Sequence, residues 1–103
     1  MNGYSQGDII RINGYQRQRF VVVSKNAYIK ATGTFHVCLL VKDLPEGPLH
    51  INVCGKNGES GTVICEQIKL IDPEVRGCSI VDSLVYKDIM NISDAIQGIF
   101  EYD

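Results

Sequence analysis

Short apolar runs separated by polar turns occupy most of the chain before residue 73, and this pattern is typical of β-strands. Residues 7–13 form a β-branched run that ends at Asn13-Gly14, a strong turn signal. The valine-rich run at 19–24 is too short for a typical helix and predicts a buried strand. Three further segments are strand-like or alternate weakly: 34–41, 49–53 and 62–65.

Several segments break this series of strands. Residues 26–33 begin with Asn26, a helix-capping residue type, and end at Gly33, which predicts about one helical turn. The prolines and glycine of residues 44–48 predict a loop, and residues 55–61 predict a plain turn. Pro73 ends the regular structure that follows the strand at 62–65.

The period of the apolar positions changes from two to a helical repeat near the end of the chain. Five apolar residues recur there at steps of three, four, three and one: Ile89, Ile92, Ile96, Ile99 and Phe100. This stripe predicts an amphipathic helix over residues 87–100, about four turns long. The sequence therefore predicts one domain over residues 1–103, mainly β, with a C-terminal helix packed on it.

Composition narrows the possible functions. A chain of 103 residues has room for one core, and 45% hydrophobic residues are too many for a disordered protein. The net charge of −2 excludes a strongly basic nucleic-acid clamp but not a local basic patch. The sequence shows no apolar run of membrane-spanning length and no signal-peptide profile, so we expect a cytoplasmic protein without membrane contact.

The spacing and the sequence surroundings of the four cysteines indicate free thiols rather than a metal site or a disulfide framework. Cys38, Cys54, Cys65 and Cys78 include no closely spaced pair of the kind that structural zinc sites use. Cys38 and Cys65 lie inside apolar stretches, where a free thiol acts as a small hydrophobic side chain. We therefore expect no metal and no cofactor.

Three segments, in order and spacing, resemble the MazF/PemK family of toxin endoribonucleases. They are residues 7–10, residues 19–26 with an arginine followed by a hydrophobic run, and residues 61–72 with Glu66-Gln67 before Ile71-Asp72. The resemblance covers roughly residues 7 to 100 and implies an SH3-like, strongly bent antiparallel barrel of the MazF/PemK/CcdB type. It also implies a homodimer, a single-stranded RNA substrate and inhibition by a partner antitoxin.

Metal-free RNA cleavage needs a deprotonated 2′-hydroxyl, positive charge on the phosphorane oxygens and an acid for the leaving oxygen. Arg19 matches the family arginine that stabilises the phosphorane, and the alternative is a solvated arginine at a strand end. Arg17 would point to the same face if the strand extends that far, as a second phosphate contact.

One residue of the family pattern is missing. The family's threonine position falls on Val41, which has a similar shape but no hydroxyl to bind phosphate. A shift of one residue would instead bring Lys42 into the pocket as a phosphate contact, although an exposed loop lysine is the alternative. The first long loop, residues 14–18, is shortened and offers neither the serine nor the histidine found in some relatives.

Two further residues are candidates for the site. Glu66 matches an acidic family position and is either a catalytic base or a structural carboxylate that holds a loop. His50 follows Pro48-Leu49 and could contact substrate, whereas His36 lies within an apolar strand and predicts a structural histidine. A local basic patch for RNA would combine six residues: Arg11, Arg17, Arg19, Lys25, Lys42 and Lys69.

The sequence supports two functional hypotheses from different classes. The first is a metal-independent endoribonuclease toxin, weakened or retuned because Val41 replaces the threonine. The second is a non-catalytic binding protein on the same fold. It would either resemble the CcdB toxins, which bind DNA gyrase, or retain only antitoxin or nucleic-acid contacts. Fold alone does not separate these hypotheses, because one fold hosts several functions.

Overall fold

The computed structural model describes residues 3–15 and 17–102. Six strands and two helices are found in these residues. In chain order they are β1 (Asp8–Ile12), β2 (Arg19–Val22), α1 (Asn26–Thr32), β3 (Phe35–Val41), β4 (His50–Cys54), β5 (Ser60–Ile71), β6 (Cys78–Ser83) and α2 (Tyr86–Ile99). The order of elements confirms the predicted fold class, mainly β with a C-terminal helix.

The strands form a single antiparallel sheet in the order β4-β5-β3-β2-β1-β6. The sheet curls until its two edge strands approach each other at the β4–β5 turn. There the Lys56 N–H donates to the Ser83 carbonyl at 2.9 Å, and the Asp82 carboxylate at the end of β6 accepts from the Asn57 and Glu59 N–H groups. The result is the bent barrel that the resemblance implies.

The long strand β5 bends where its register with β3 shifts. Cys38 pairs with Ile68, whereas Leu40 pairs with Val63, so a few residues of β5 bulge out between these pairs. The predicted strand ends at Cys65. That boundary is wrong, because the polar Glu66-Gln67 pair lies in the bulge and the strand continues beyond it.

Alternate residues of the strands fill two apolar clusters, one on each face of the sheet. Ile9, Val21 and Cys38 belong to the cluster that α2 covers with the buried Ile92. Phe20 and Phe35 lie in the opposite cluster. The central strands β1, β2 and β3 are therefore buried on both faces, which explains their continuous apolar runs.

The cysteines within the apolar stretches are buried free thiols, as predicted. Burial in the apolar cluster raises the pKa of Cys38 to about 12 and that of Cys65 to about 11. Both thiols therefore stay protonated at neutral pH and act as packing groups.

Helix α2 confirms the predicted C-terminal helix, with its start one residue earlier. Helix α1 is longer than predicted, and its N-cap is Lys25 rather than Asn26. The Asn26 side chain instead accepts a hydrogen bond from the Gln6 N–H at 2.7 Å, which ties the helix to the first loop. Gly33 ends α1 in the left-handed conformation, as predicted.

Strand β6 is absent from the prediction.

No helix in the described part of the chain is long and apolar enough to cross a membrane.

Candidate functional site

Arg19 is the first residue of β2 and pairs with Leu40 of β3. Its Nε–H donates to Glu59 Oε1 at 3.3 Å, and its Nη1 donates to the Gln18 carbonyl at 3.3 Å. The Arg19 and Glu59 side chains are 27% and 29% exposed. The guanidinium is thus held in place while part of it still faces solvent, as a phosphate-binding group requires.

A cleft of about 260 Å³ surrounds this guanidinium. We call it the Arg19 cleft, and six of its lining residues are Arg17, Arg19, Val41, Lys42, Glu59 and Ser60. The structure therefore brings together the three predicted cations and the valine at the family's threonine position. Glu59 was not predicted, because it belongs to a polar turn far along the chain from Arg19.

Arg17 reaches the Arg19 cleft in a different way from the one predicted. Strand β2 begins at Arg19, so Arg17 lies in the preceding turn and does not share a strand face with it. Gln16, part of the predicted shortened loop, lies outside the described residues. The expectation of a shared strand face is wrong, although Arg17 still lines the same cleft.

The hydroxyl that directly opposes Val41 is engaged elsewhere. Thr62 pairs with Val41 in the β3–β5 register and is buried. Its Oγ1 lies 2.8 Å from the Leu44 carbonyl oxygen and 2.6 Å from Asn52 Oδ1, so it fixes the loop after β3. Among the lining residues given above, Ser60 is the one that carries a side-chain hydroxyl.

The turn that carries Glu59 is fixed from its other side by Asp82. The Asp82 carboxylate is 3% exposed and accepts from the N–H groups of Asn57, Glu59 and Ser83 at 2.8–3.1 Å. Burial by itself would raise the pKa of Asp82, but these three backbone donors and the nearby Lys56 lower it. Asp82 therefore stays ionised and holds the backbone of Glu59 in register with β6.

A second cleft of about 350 Å³ continues from the first one. We call it the Glu66 cleft; its lining includes Tyr15, Phe20, Glu66, Gln67 and Lys69. Gln18 and Leu39 line both clefts, so the two clefts adjoin, and we refer to them together as the groove. The β5 bulge presents Glu66 and Gln67 to this groove.

Glu66 and His50 contact each other instead of Arg19. His50 Nε2 lies 3.2 Å from Glu66 Oε2, and their side chains are 32% and 44% exposed. The two candidates belong to the adjacent strands β4 and β5, and neither of them lines the Arg19 cleft. The structure therefore divides the predicted site residues between two places along the groove.

The far end of the groove carries two cations against one aromatic ring. The Lys69 Nζ lies 4.7 Å and the Arg76 Cζ 5.1 Å from the ring centroid of Tyr15. A hydrogen bond with Arg76 and the charge of Lys69 lower the pKa of the Tyr15 hydroxyl. Lys69 was predicted for the basic patch and Arg76 was missed, whereas Arg11 and Lys25 line neither cleft.

The remaining histidine is structural, as predicted. His36 Nδ1 lies 2.8 Å from Ser24 Oγ, which accepts the His36 backbone N–H at 2.7 Å, and the ring packs on Tyr28. Across residues 3–15 and 17–102, no three His, Cys, Asp or Glu side chains cluster as metal ligands would.

Comparison with known protein families matches residues 5–100 to the PemK-like, MazF-like toxin of type II toxin–antitoxin systems. Comparison with curated proteins finds no significant match.

Comparison with solved structures finds the same fold in several toxins. A MazE-MazF crystal structure from Deinococcus radiodurans has a TM-score of 0.82 at 16% identity and covers 100% of both chains. An endoribonuclease in complex with its cognate antitoxin, from Mycobacterial species, has a TM-score of 0.80 at 16% identity, covering 98% of this chain and 100% of that one. At these identities, the structural matches establish the fold.

Proposed function

The chain belongs to the family of PemK-like, MazF-like toxins, and from this premise we propose that it is an endoribonuclease that cleaves single-stranded RNA without a metal ion. The observation that carries the proposal is the Arg19 cleft, where Arg17, Arg19 and Lys42 meet at the end of β2 and β3. Two further cations beside the partly exposed Arg19 guanidinium suit a phosphodiester, whose charge grows during cleavage.

Arg19 is the group that we place on the scissile phosphate. The 2′-oxygen attacks phosphorus, negative charge builds on the non-bridging oxygens, and the P–O5′ bond breaks to leave a 2′,3′-cyclic phosphate. A fixed guanidinium stabilises that charge more strongly in the transition state than in the ground state. Arg17 and Lys42 are exposed at the rim, and we place them on the flanking phosphates.

We propose that the two adjoining clefts give the rest of the RNA strand a path. From the Arg19 cleft it passes Gln18 and Leu39 and reaches Glu66. We propose that His50 contacts the strand beside Glu66, since their side chains lie 3.2 Å apart and are partly exposed. The family resemblance also assigns Glu66 a catalytic role as base, and this assignment stays a prediction.

We propose two protein partners in the cytoplasm: a second copy of this chain and an antitoxin. The edge strand β6 and the C-cap of helix α2 expose apolar side chains, Ile80 at 48% and Phe100 at 73%, which a two-fold partner could cover. Similar folds have been solved with MazE or with a cognate antitoxin. Sedimentation that shows a strict monomer at tens of micromolar would contradict the homodimer.

Val41 favours a second candidate function, a binding protein without nuclease activity. The side chain has no hydroxyl, and the opposing Thr62 hydroxyl is committed to Leu44 and Asn52. On this hypothesis the groove would bind RNA or a protein target, such as the gyrase that CcdB toxins bind, without cutting.

Cleavage of a mixed-sequence RNA in EDTA tests the two candidates. The nuclease proposal expects new fragments that carry 2′,3′-cyclic phosphate ends and 5′-hydroxyls. If both the wild-type protein and the Val41→Thr variant leave the RNA intact, the nuclease proposal fails. Binding of the intact RNA, measured on the same samples, would then support the second candidate.

A further inference from the structure

Glu59 is a half-exposed carboxylate in the Arg19 cleft that no element of the family pattern predicted. It lies in the polar segment that joins β4 to β5, one residue before β5 begins. Its Oε1 accepts from Arg19 Nε–H at 3.3 Å, so the group that would bind phosphate and a potential proton acceptor are in contact. The Arg19 cleft therefore combines groups suited to two of the three functions that metal-free cleavage requires, a cation for the phosphorane and a proton acceptor.

We propose that Glu59 is the general base that removes the proton from the attacking 2′-hydroxyl, an inference that rests on the proposed nuclease function. A general base must lie within hydrogen-bond reach of the hydroxyl that it deprotonates. A phosphate bound by Arg19 carries its 2′-hydroxyl on the adjacent ribose. The Glu59 carboxylate, which contacts Arg19 at 3.3 Å, would then lie beside that ribose.

The proton balance of the step is complete without a metal or a co-reactant. The Glu59 carboxylate takes the 2′-hydroxyl proton as the 2′-oxygen forms its bond to phosphorus. The P–O5′ bond then breaks, and the 5′-oxygen takes a proton from water. The hydroxide that remains takes the proton from Glu59, so the carboxylate is restored and no water is consumed overall.

The structure fixes Glu59 at the backbone and leaves its carboxylate open to the cleft. The Glu59 N–H donates to Asp82 Oδ2 at 2.9 Å, while the Glu59 side chain is 29% exposed. The charged groups that line the cleft with it are Arg19 of β2, Arg17 of the preceding turn and Lys42 after β3. A guanidinium has five N–H donors, so Arg19 can bind a carboxylate and a phosphate at the same time.

Glu66 is less suited to the same role at this phosphate. It lies in the β5 bulge, pairs with His50 and lines the neighbouring cleft. A base in that cleft would act on a nucleotide other than the one that Arg19 holds. The two carboxylates therefore make different predictions for the pH dependence of cleavage.

The test compares single-turnover cleavage of an RNA oligonucleotide that the wild-type protein cuts, measured across the acidic range. The variants are Glu59→Gln, Glu66→Gln and, as a matched control, the exposed Glu74→Gln, which lies outside both clefts. We expect Glu59→Gln to lower the rate by about 10²-fold or more, as is typical when a general base is lost. Added formate should partly restore the rate of Glu59→Ala, which a merely structural role would not allow.

The pH profile separates a base from a group that only positions Arg19. The wild-type rate should fall in acid, because a protonated base can no longer accept the 2′-hydroxyl proton. This decline should persist in Glu66→Gln and Glu74→Gln and be absent from the residual activity of Glu59→Gln. If Glu59→Gln does not fold, Glu59→Asp replaces it, with a smaller rate loss and the decline retained.

Each contrary outcome has a distinct meaning. A wild-type protein that cuts no RNA removes the nuclease function and the base together. A wild-type protein that cuts, with a Glu59→Gln variant of the same rate and pH profile, overturns the role of Glu59 alone. Loss of the acid decline in Glu66→Gln instead would assign the base to Glu66.

Discussion

Two carboxylates hold opposite sides of one turn, and their surroundings differ. Asp82 is 3% exposed and is surrounded by backbone N–H donors, including the N–H of Glu59. Glu59 itself is 29% exposed and faces a guanidinium across an open cleft. Asp82 uses its charge to fix the backbone, whereas the Glu59 carboxylate remains partly open to the Arg19 cleft.

The difference shows how a barrel can support chemistry on a loop. A buried carboxylate satisfied by fixed backbone donors is ionised and immobile, so it suits a structural role. A half-exposed carboxylate that contacts one cation can still exchange that contact for a substrate group. Since Asp82 binds the N–H of Glu59, the structural carboxylate also sets the position of the other one. Substitutions on the two sides of the turn should therefore affect different properties.

The largest effect on activity is expected from Arg19→Ala, on the side of the turn that faces the Arg19 cleft. Loss of one preorganised donor to the phosphorane lowers the cleavage rate by about 10²–10³-fold, or roughly 3–4 kcal/mol. Stability should change little, because an exposed ion pair contributes about 0–1 kcal/mol. RNA cleavage and thermal melting measured on the same preparation check both expectations. A variant that still cuts at the wild-type rate would contradict the role of Arg19.

On the buried side of the turn, Asp82→Asn should lower the stability of the protein rather than directly change the cleavage step. The new amide places N–H donors against the backbone N–H groups of Asn57 or Glu59, which then lose their acceptor. We expect a lower midpoint of urea unfolding with an unchanged m-value. A midpoint equal to that of the wild-type protein would show that the turn does not depend on Asp82.

The stability of the wild-type protein and that of Asp82→Asn should also depend differently on pH in the acidic range. The folded pKa of Asp82 is lowered, so its stabilising contribution is present above the unfolded pKa of about 4. That contribution is lost as the pH falls through the folded value. Wild-type stability should drop more steeply below pH 4 than that of Asp82→Asn. Both proteins contain Asp8, whose pKa is raised by burial, so its contribution cancels and the difference between the two curves reports on Asp82. Parallel curves would contradict this assignment.

Gly55→Ala tests how closely the turn packs on Asp82. A Cβ at Gly55 would collide with the Asp82 carboxylate, so the turn or the side chain must shift. We expect a loss of about 1–3 kcal/mol in the free energy of unfolding, as for overpacked sites. Gly98→Ala is the control, because a Cβ there meets open space. Alanine is also more favourable than glycine within a helix, so this change should not destabilise α2. Equal effects of the two alanines would contradict close packing at Gly55.

The smallest effect is expected from Val41→Thr. The change adds a hydroxyl to the Arg19 cleft at nearly constant volume, and one additional hydrogen bond contributes about 0.5–1.5 kcal/mol. Cleavage should therefore rise by roughly twofold to tenfold. A parallel Ser60→Ala variant shows whether Ser60 already supplies a hydroxyl to the substrate. No change in either variant would mean that the site uses no hydroxyl at these positions.

Sequence patterns identified the central strands and the C-terminal helix because their apolar positions are regular. Strand β6 escaped detection because its pattern is inverted: Ile80 is 48% exposed, whereas the charged Asp82 is buried. Only the approach of β6 to the β4–β5 turn explains this inversion, and an approach between distant segments leaves no local signal. The true length of β5 was hidden in a similar way, since Glu66 and Gln67 interrupt its apolar run at the bulge.

The candidate site could be predicted only in part, because some of its contacts also join segments that are distant in the chain. Arg17, Arg19 and Lys42 flank strands that lie side by side in the sheet, so their meeting follows from the family's order of segments. Glu59 lies 40 positions from Arg19 and in a segment typical of an ordinary turn. Its role depends on the curvature of the sheet, which one sequence does not reveal.

The pairing of β1 with β6 has a consequence for the time course of folding. The Tyr4 hydroxyl donates to the Cys78 carbonyl, 74 positions away, and β1 aligns with β6 over Asp8–Ile12. Contacts of such separation require closure of a long loop, so proteins rich in them fold in milliseconds to seconds rather than microseconds. The β2–β3 and β4–β5 neighbours can form earlier, because they are closer in the chain. We therefore expect Asp82 to complete the β4–β5 turn in the slow step, so that the geometry of the Arg19 cleft forms with the last contacts of the barrel.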